Sequence, residues 1–165
     1  MLRIFFATRL LFTAVCVDAS NLSTLIPRPE RVEKRSGVFT ILTTTKITHY
    51  PGLRSSAEYL SEYIPLEIRE YNEAEKGNIV LRLNKNLASE GYTLDIGDEG
   101  VIVEGGTAAG VLYGIETLMQ LLPASVYSRT MALPAMVGAC RVEDAPRFEY
   151  RGFMLDVTRT WMDLP

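Results

Sequence analysis

The feature that most constrains the fold is an amphipathic stretch, residues 107–122, which directly follows two short β-branched runs. Its apolar residues recur at helical spacing and form one stripe, made by Ala108, Leu112, Ile115, Met119 and Leu122. Pro123 ends the pattern. The runs 92–96 and 101–103 flank Gly97-Asp98-Glu99-Gly100, where glycines suit the dihedral angles of a hairpin loop. A hairpin followed at once by a helix predicts a sheet with a helix packed on it.

Further strands and a second helix are predicted around this unit. The strand patterns are β-branched or alternating and occupy residues 37–42, 46–50, 78–84 and 134–142. After Pro51-Gly52, a helix presents one apolar face, made by Leu53, Ala57, Leu60 and Ile64. The order β-β-α-β-β-β-α-β predicts an α+β fold, an α/β sandwich in which a mixed or antiparallel sheet carries two helices on one face.

The predicted sandwich domain extends from about residue 25 to about residue 143. Before its first strand, residues 20–35 contain Pro27 and Pro29 among charged residues, which indicates an extended lead-in. After its last strand, residues 144–147 form a predicted linker, Asp-Ala-Pro-Arg. Residues 144–165 as a whole are predicted to hold this linker and one more strand.

Composition and charge exclude several classes of function. The net charge of −3 leaves no basic footprint for nucleic acid or for an anionic membrane surface. His49 is the one histidine, and no Cys/His cluster accompanies it, so a zinc site has few ligands to draw on. We therefore predict no metal, no cofactor and no nucleic-acid partner.

The N-terminal residues 1–19 fit a secretory signal peptide. Two arginines precede a short apolar stretch, and a small residue, Ala19, stands before Ser20. The alternatives are a buried N-terminal strand or helix, or a lipoprotein anchor at Cys16, although the residues before Cys16 match that signal poorly. Signal cleavage would leave Cys140 as the only thiol, in a setting typical of a half-buried strand cysteine. We expect an exported protein: periplasmic, cell-surface or secreted.

Two polar or glycine-rich clusters suggest ligands but favour structural roles. The glycines near residues 105–114 recur every four residues and match neither a dinucleotide nor a P-loop motif, which favours close packing of a helix edge over phosphate binding. Asp95, Asp98 and Glu99 lack the spacing of an EF-hand loop, which favours a solvated hairpin turn over calcium.

The C-terminal residues 151–157 differ from the rest of the chain. They form a nearly continuous apolar run of the kind that suits a strand buried on both faces. Arg151 lies at its start and Asp156 near its end. Charges at the ends of such a strand are solvated, paired or functional. An ordinary ion pair and a functional site both remain open from spacing alone.

Three stretches are similar to the N-terminal part of family 20 glycoside hydrolases, the β-N-acetylhexosaminidases. They are Ile-Pro-Arg-Pro at 26–29, Glu-Gly-Tyr-Thr-Leu at 90–94 with residues 110–122, and residues 144–159. The resemblance implies that an α/β sandwich precedes a (β/α)₈ barrel and that the last stretch is the barrel's first strand. It also implies that Arg151 binds hydroxyls of a terminal N-acetylhexosamine, a role that suits the planar guanidinium fork.

The resemblance also implies what this chain lacks. In the family the substrate's acetamido oxygen attacks the anomeric carbon, oriented by an aspartate beside a general-acid glutamate, and nothing here matches that pair. We therefore assign no catalytic residue. Asp156 and Arg159 are candidates for site support, although family members commonly have Ser-Arg-His where this chain has Thr158-Arg159-Thr160.

The resulting expectation is the N-terminal part of a hexosaminidase, truncated just inside a catalytic barrel that needs about 250 residues. The whole enzyme would remove terminal GlcNAc or GalNAc from glycans, and this chain alone would be inactive. The alternative is a stand-alone carbohydrate-associated binding or accessory module. Since an unpaired apolar strand recruits other edges, self-association through the C-terminal strand is a further expectation.

Overall fold

The computed structural model of the protein describes residues 22–71 and 78–154. Within them, a seven-stranded sheet is packed against two α-helices. The strands are β1 (Arg31–Ile41), β2 (Lys46–His49), β3 (Glu67–Glu70), β4 (Ile79–Leu83), β5 (Tyr92–Gly97), β6 (Gly100–Gly105) and β7 (Ala135–Asp144), and the helices are α1 (Arg54–Tyr63) and α2 (Ala108–Leu121). Short 3₁₀ turns occupy Leu22–Thr24 and Ala124–Val126. The predicted mixed sheet with two helices is confirmed.

The sheet divides into an antiparallel half and a parallel half. Its strand order is β1-β7-β5-β6-β4-β2-β3. Strands β1, β7, β5 and β6 pair antiparallel, whereas β6, β4, β2 and β3 pair parallel. The parallel pair β2–β3 requires a crossover connection, and α1 lies in it, whereas α2 lies in the connection from β6 to β7, which are separated by β5 in the sheet.

The core lies between one face of the sheet and the two helices. Residues that share this face are paired across the ladders, among them Ile47, Ile79, Leu81, Leu94, Ile96, Val101, Val103 and Val142. All are fully buried. The predicted apolar face of α1 is confirmed, since Leu53, Ala57, Leu60 and Ile64 are also fully buried.

The predicted stripe of α2 is wrong at its N-terminal end. Ala108 is exposed and Leu112 is only half-buried, whereas Val111, Ile115, Leu118 and Met119 enter the core, with Leu122 just beyond the helix. The buried face of α2 differs from the predicted one because the glycines of the helix lie against the hairpin. A Cβ on Gly110 would collide with the carbonyl oxygen of Gly91, and one on Gly114 would lie 2.5 Å from Cγ1 of Val103.

Two parts of the sheet depart from the sequence prediction. The prediction missed β3, an exposed edge strand of sequence Glu-Ile-Arg-Glu, because its one apolar residue leaves no alternation to detect. Strand β1 begins at Arg31, inside the predicted lead-in, and a register shift between Lys34 and Val38 interrupts its pairing with β7. Gly37 supplies the positive φ of 112° that this bulge requires.

The chain after β7 runs without secondary structure from Ala145 to Met154. The residues of the predicted barrel strand that the structure describes, 151–154, are not in a strand. Phe153 and Met154 are 89% and 92% exposed. The remainder of that strand lies outside the described residues, as do Asp156, Arg159 and the predicted signal peptide. Neither helix in the described part of the chain has the length and apolar character needed to cross a membrane.

Candidate functional site

The one predicted site residue that the structure describes, Arg151, is held against the sandwich domain by two side chains and bonds one carbonyl of its own segment. Its Nη2 donates to Oε1 of Glu90 at 2.9 Å, and the same nitrogen lies 3.4 Å from the hydroxyl of Tyr113. Its Nη1 donates to the carbonyl oxygen of Phe148 at 2.7 Å. The arginine is therefore part of a cluster that we call the Arg151 site: Arg151, Glu90 and Tyr113.

The Arg151 site is built from two elements that are fixed independently of the arginine. Glu90 lies in the loop before β5, and the backbone N–H of Gly91 donates to Ala88 at 2.9 Å while Gly106 donates to the Gly91 carbonyl at 3.0 Å. Tyr113 lies on α2, and its hydroxyl donates to Oε1 of Glu90 at 3.0 Å. The loop and the helix thus hold the carboxylate in place.

The electrostatics of the site favour a charged carboxylate. The hydrogen bond from Arg151, followed by that from Tyr113, holds the pKa of Glu90 below its ordinary value of 4.5. Glu90 in turn raises the pKa of Arg151. A carboxyl group that stays ionised at neutral pH accepts hydrogen bonds and does not donate a proton. Glu90 is therefore suited to hold a cation and not to act as a general acid.

A groove of about 890 Å³ adjoins the Arg151 site between α2, the lead-in and the linker. Its lining residues are mainly polar and aromatic and include Arg28, Glu30, Tyr113, Glu116, Gln120, Asp144, Arg147, Phe148 and Arg151. The side-chain amide of Gln120 pins the lead-in by exchanging two hydrogen bonds of 2.9 Å with the backbone of Ile26. The backbone N–H of Glu30 donates to Oδ1 of Asp144 at 3.1 Å.

Glu116, the acidic residue of α2 that lines this groove, is engaged between the helices. The hydroxyl of Tyr59 on α1 donates to Oε1 of Glu116 at 2.5 Å. That bond raises the pKa of Tyr59. The carboxylate thus connects the two helices, and one of its oxygens is already bonded.

The sheet face opposite the helices carries paired charges. Asp95 lies on β5 and accepts hydrogen bonds from Arg35 at 2.9 Å and from Arg141 at 3.1 Å. Asp95 thus belongs to the strand predicted at 92–96, and the predicted turn between β5 and β6 holds Asp98 and Glu99. Within residues 22–71 and 78–154, no three acidic, histidine or cysteine side chains are grouped to hold a metal ion.

A second cluster on this face surrounds Glu104. It accepts hydrogen bonds from Arg82 at 2.6 Å, Asn84 at 3.2 Å and Thr93 at 3.1 Å. Burial alone would raise the pKa of Glu104, but the bonds from Asn84 and Arg82 bring it below its ordinary value. These charges are paired with neighbouring side chains, so this face of the sheet is a surface of hydrogen bonds and ion pairs between strands.

The remaining sequence candidates have structural roles. The loop before β5 packs closely on the segment that leads into α2, because Thr107 donates from its hydroxyl to the carbonyl of Ser89 at 2.6 Å and a Cβ on Gly106 would collide with the carbonyl oxygen of Ala88. Packing of the glycine-rich edge, not phosphate binding, accounts for this segment. Cys140 is fully buried instead of half-buried, and burial raises the pKa of its thiol to about 11. Such a thiol is not a nucleophile at neutral pH.

Glu90 and Tyr113 were not predicted from the sequence as parts of a site. Both residues lie in the stretches that carry the family resemblance, at 90–94 and 110–122, but no local pattern links either of them to Arg151. Glu90 and Arg151 are 61 residues apart in the chain. The signal that marks them together is that Glu90 and Tyr113 lie in one stretch of the family resemblance and Arg151 lies in another, at 144–159.

Comparison with known proteins places this architecture in a family. The family model described as glycosyl hydrolase family 20, domain 2, matches residues 22–145. The chain belongs to glycosyl hydrolase family 20. A β-hexosaminidase of Porphyromonas gingivalis (strain ATCC BAA-308 / W83) is 40% identical over 116 residues, which cover 68% of this chain and 14% of the relative.

Solved structures agree with this assignment. The family 20 β-N-acetylhexosaminidase of Streptomyces coelicolor A3(2) is similar with a TM-score of 0.77 and 34% identity, over 86% of this chain and 30% of that one. A mutant β-hexosaminidase of Streptomyces plicatus in complex with its product GlcNAc gives a TM-score of 0.78 and 31% identity, over 88% and 31%. The chain thus spans less than a third of the length of these family 20 relatives.

Proposed function

We propose that this chain is the N-terminal, non-catalytic portion of a β-N-acetylhexosaminidase that removes terminal GlcNAc or GalNAc from glycans by substrate-assisted, retaining hydrolysis. One observation carries the proposal: the match to domain 2 of family 20 over residues 22–145, which is nearly the whole described chain. The sandwich then supplies a scaffold, and the catalytic residues belong to a barrel that follows it.

The substrate class rests on the relatives. The similar proteins are β-hexosaminidases, and the Streptomyces plicatus structure holds GlcNAc as product. In the proposed mechanism the substrate's acetamido oxygen is the nucleophile, an aspartate orients it, and a glutamate protonates the leaving group. We assign neither acid to this chain, because Glu90, the carboxylate of the Arg151 site, is held ionised by an arginine.

Within the whole enzyme we propose that Arg151 binds hydroxyls of the terminal sugar, with Asp156 and Arg159 as supporting residues. The fork of a guanidinium matches two neighbouring oxygens, which supports this assignment. We also propose that the protein is exported, with residues 1–19 as its signal. Sequencing the N-terminus of the protein recovered from the periplasm, cell surface or medium tests that location.

The function is tested with the chain and with the DNA that follows it. The purified 165-residue chain is assayed on a chromogenic β-N-acetylglucosaminide, and we expect no turnover above a buffer blank because the general acid is absent. An open reading frame that continues beyond the codon for Pro165 with an adjacent Asp-Glu pair would support the enzyme.

Two results would contradict this reading. Hydrolysis that persists through repurification would place the chemistry within the chain itself. Saturable binding of N-acetylglucosamine to the chain, well below millimolar and lost in Arg151→Ala, would favour the accessory module instead.

A further inference from the structure

The side chain of Arg151 is hydrogen-bonded to the sandwich domain, although the neighbouring residues are almost fully exposed to solvent. Tyr150 and Phe153 on either side are 88% and 89% exposed. Packing of apolar side chains therefore contributes little to the position of this segment. The guanidinium of Arg151 connects this segment to the sandwich domain through its contacts with Glu90 and Tyr113.

The groups that receive the guanidinium are preorganised. The loop that carries Glu90 is tied by the Gly106 to Gly91 backbone bond of 3.0 Å and by the Thr107 to Ser89 bond of 2.6 Å. Tyr113 orients the carboxylate through its own bond to Oε1 at 3.0 Å. A carboxylate held in one orientation loses little freedom when an arginine binds, which strengthens the pairing.

We propose that Glu90 and Tyr113 form a receptor for the Arg151 side chain, and that this receptor fixes where residues 148–152 leave the sandwich domain. Glu90 and Tyr113 are thus positioning residues, which act through Arg151. The proposal does not depend on a sugar-binding role for Arg151, since it concerns only contacts within this chain. It does imply that the guanidinium must leave the receptor before it can present its fork elsewhere.

Trypsin reads the state of the guanidinium directly, because it cleaves only when an arginine side chain is free to enter its specificity pocket. The chain offers a matched reference. Arg129 lies in another loop and donates to Glu62 at 2.9 Å, the same distance as between Arg151 and Glu90. Initial cleavage rates after Arg151 and after Arg129 are measured in the same digest by mass spectrometry.

We expect Glu90→Gln to raise the rate of cleavage after Arg151 about two- to fivefold, the range for loss of an exposed ion pair, and to leave Arg129 unchanged. Tyr113→Phe should give a smaller rise at Arg151. Glu62→Gln should leave the Arg151 rate unaltered. An unchanged Arg151 rate in Glu90→Gln overturns the proposal, and so does an equal rise at both arginines, which would reveal general loosening.

Backbone ¹⁵N order parameters supply a second measurement, because they report the position of a segment whose amides are exposed. The charge-swapped variant Glu90→Arg/Arg151→Glu restores an ion pair with the opposite polarity. We expect the order parameters of residues 149–153 to fall in Glu90→Arg alone and to recover in the double variant. If the double variant is as mobile there as the single one, while the order parameters of the sheet match those of the parent chain, the receptor does not position the segment.

Discussion

At the residue scale, Arg151 is the side chain that connects the segment after β7 to the sandwich domain. Its guanidinium offers five N–H donors in one plane, and the structure already commits Nη1 and Nη2 to Phe148, Glu90 and Tyr113. If Arg151 also binds a sugar, as proposed above, any donor that the sugar shares with Glu90, Tyr113 or Phe148 must first be released.

Acidification is expected to release Arg151. The folded-state pKa of Glu90 is lowered, so the stabilisation is fully present above its ordinary value of 4.5 and is lost as pH falls through the lowered pKa. The measurement is an NMR titration of the Arg151 side-chain N–H from pH 7 downward. Tyr113→Phe removes one of the two bonds that lower this pKa and should move the midpoint upward. A midpoint at or above 4.5 in the parent chain would contradict this assignment.

At the element scale, glycines decide which face of α2 enters the core. Gly110 and Gly114 place the helix backbone directly on the β5–β6 hairpin, and the buried positions follow from that approach: Val111, Ile115, Leu118 and Met119. Helical periodicity alone does not choose between this stripe and the adjacent one. Because both stripes are apolar, the choice depends on which side of the helix allows the closer approach.

A methyl group at Gly110 should therefore destabilise the fold. Its Cβ would meet the backbone carbonyl of Gly91, which cannot move aside as a side chain could. We expect Gly110→Ala to decrease the free energy of unfolding by an amount near the upper end of the range of about 1–3 kcal/mol for overpacking. This loss exceeds the gain of about 1 kcal/mol in helix propensity. Urea denaturation measures the change.

The matched control for this substitution is Gly97→Ala, because nothing lies within 4 Å of a Cβ at Gly97. The free energy of unfolding of this variant should be close to that of the parent chain. If both substitutions have the same effect, the loss does not come from the helix–hairpin contact.

At the scale of the whole molecule, the sandwich forms one core that is complete before the linker. The last strand, β7, pairs with β1 on one side and with β5 on the other, and it ends at Asp144. The side chains beyond it are largely exposed, including Phe148 at 67%. The family match also ends at residue 145. The domain should thus need little from the residues that follow.

We expect a chain of residues 22–145 to unfold in a single cooperative transition, with a melting temperature within a few degrees of that of the 165-residue chain. The physical reason is that, among the described residues after Ala145, the ion pair to the domain is the exposed one between Arg151 and Glu90, of a kind worth about 0–1 kcal/mol. Differential scanning calorimetry makes the comparison. A chain ending at Val137 loses the β5–β7 ladder and should not fold, so it controls for the sensitivity of the measurement.

The sequence determined by itself those features that local patterns encode. The buried face of α1 follows from apolar residues at helical spacing, and the β5–β6 hairpin follows from alternation around a glycine-bounded loop. The stretches at 90–94 with 110–122, and at 144–159, indicated the family. In each case, neighbours in the chain carry the preference, so no distant contact is needed to detect it.

The tertiary structure alone decided the features that depend on distant partners. Strand β3 exists because β2 offers it an edge, although its own sequence is mostly charged. The buried face of α2 depends on its close approach to the carbonyl of Gly91, in the loop before β5. Glu90 and Arg151 meet across 61 residues, because the fold brings the loop before β5 beside the chain that leaves β7. Local sequence records what a segment prefers, whereas the free energy of these contacts depends on what the rest of the chain places next to it.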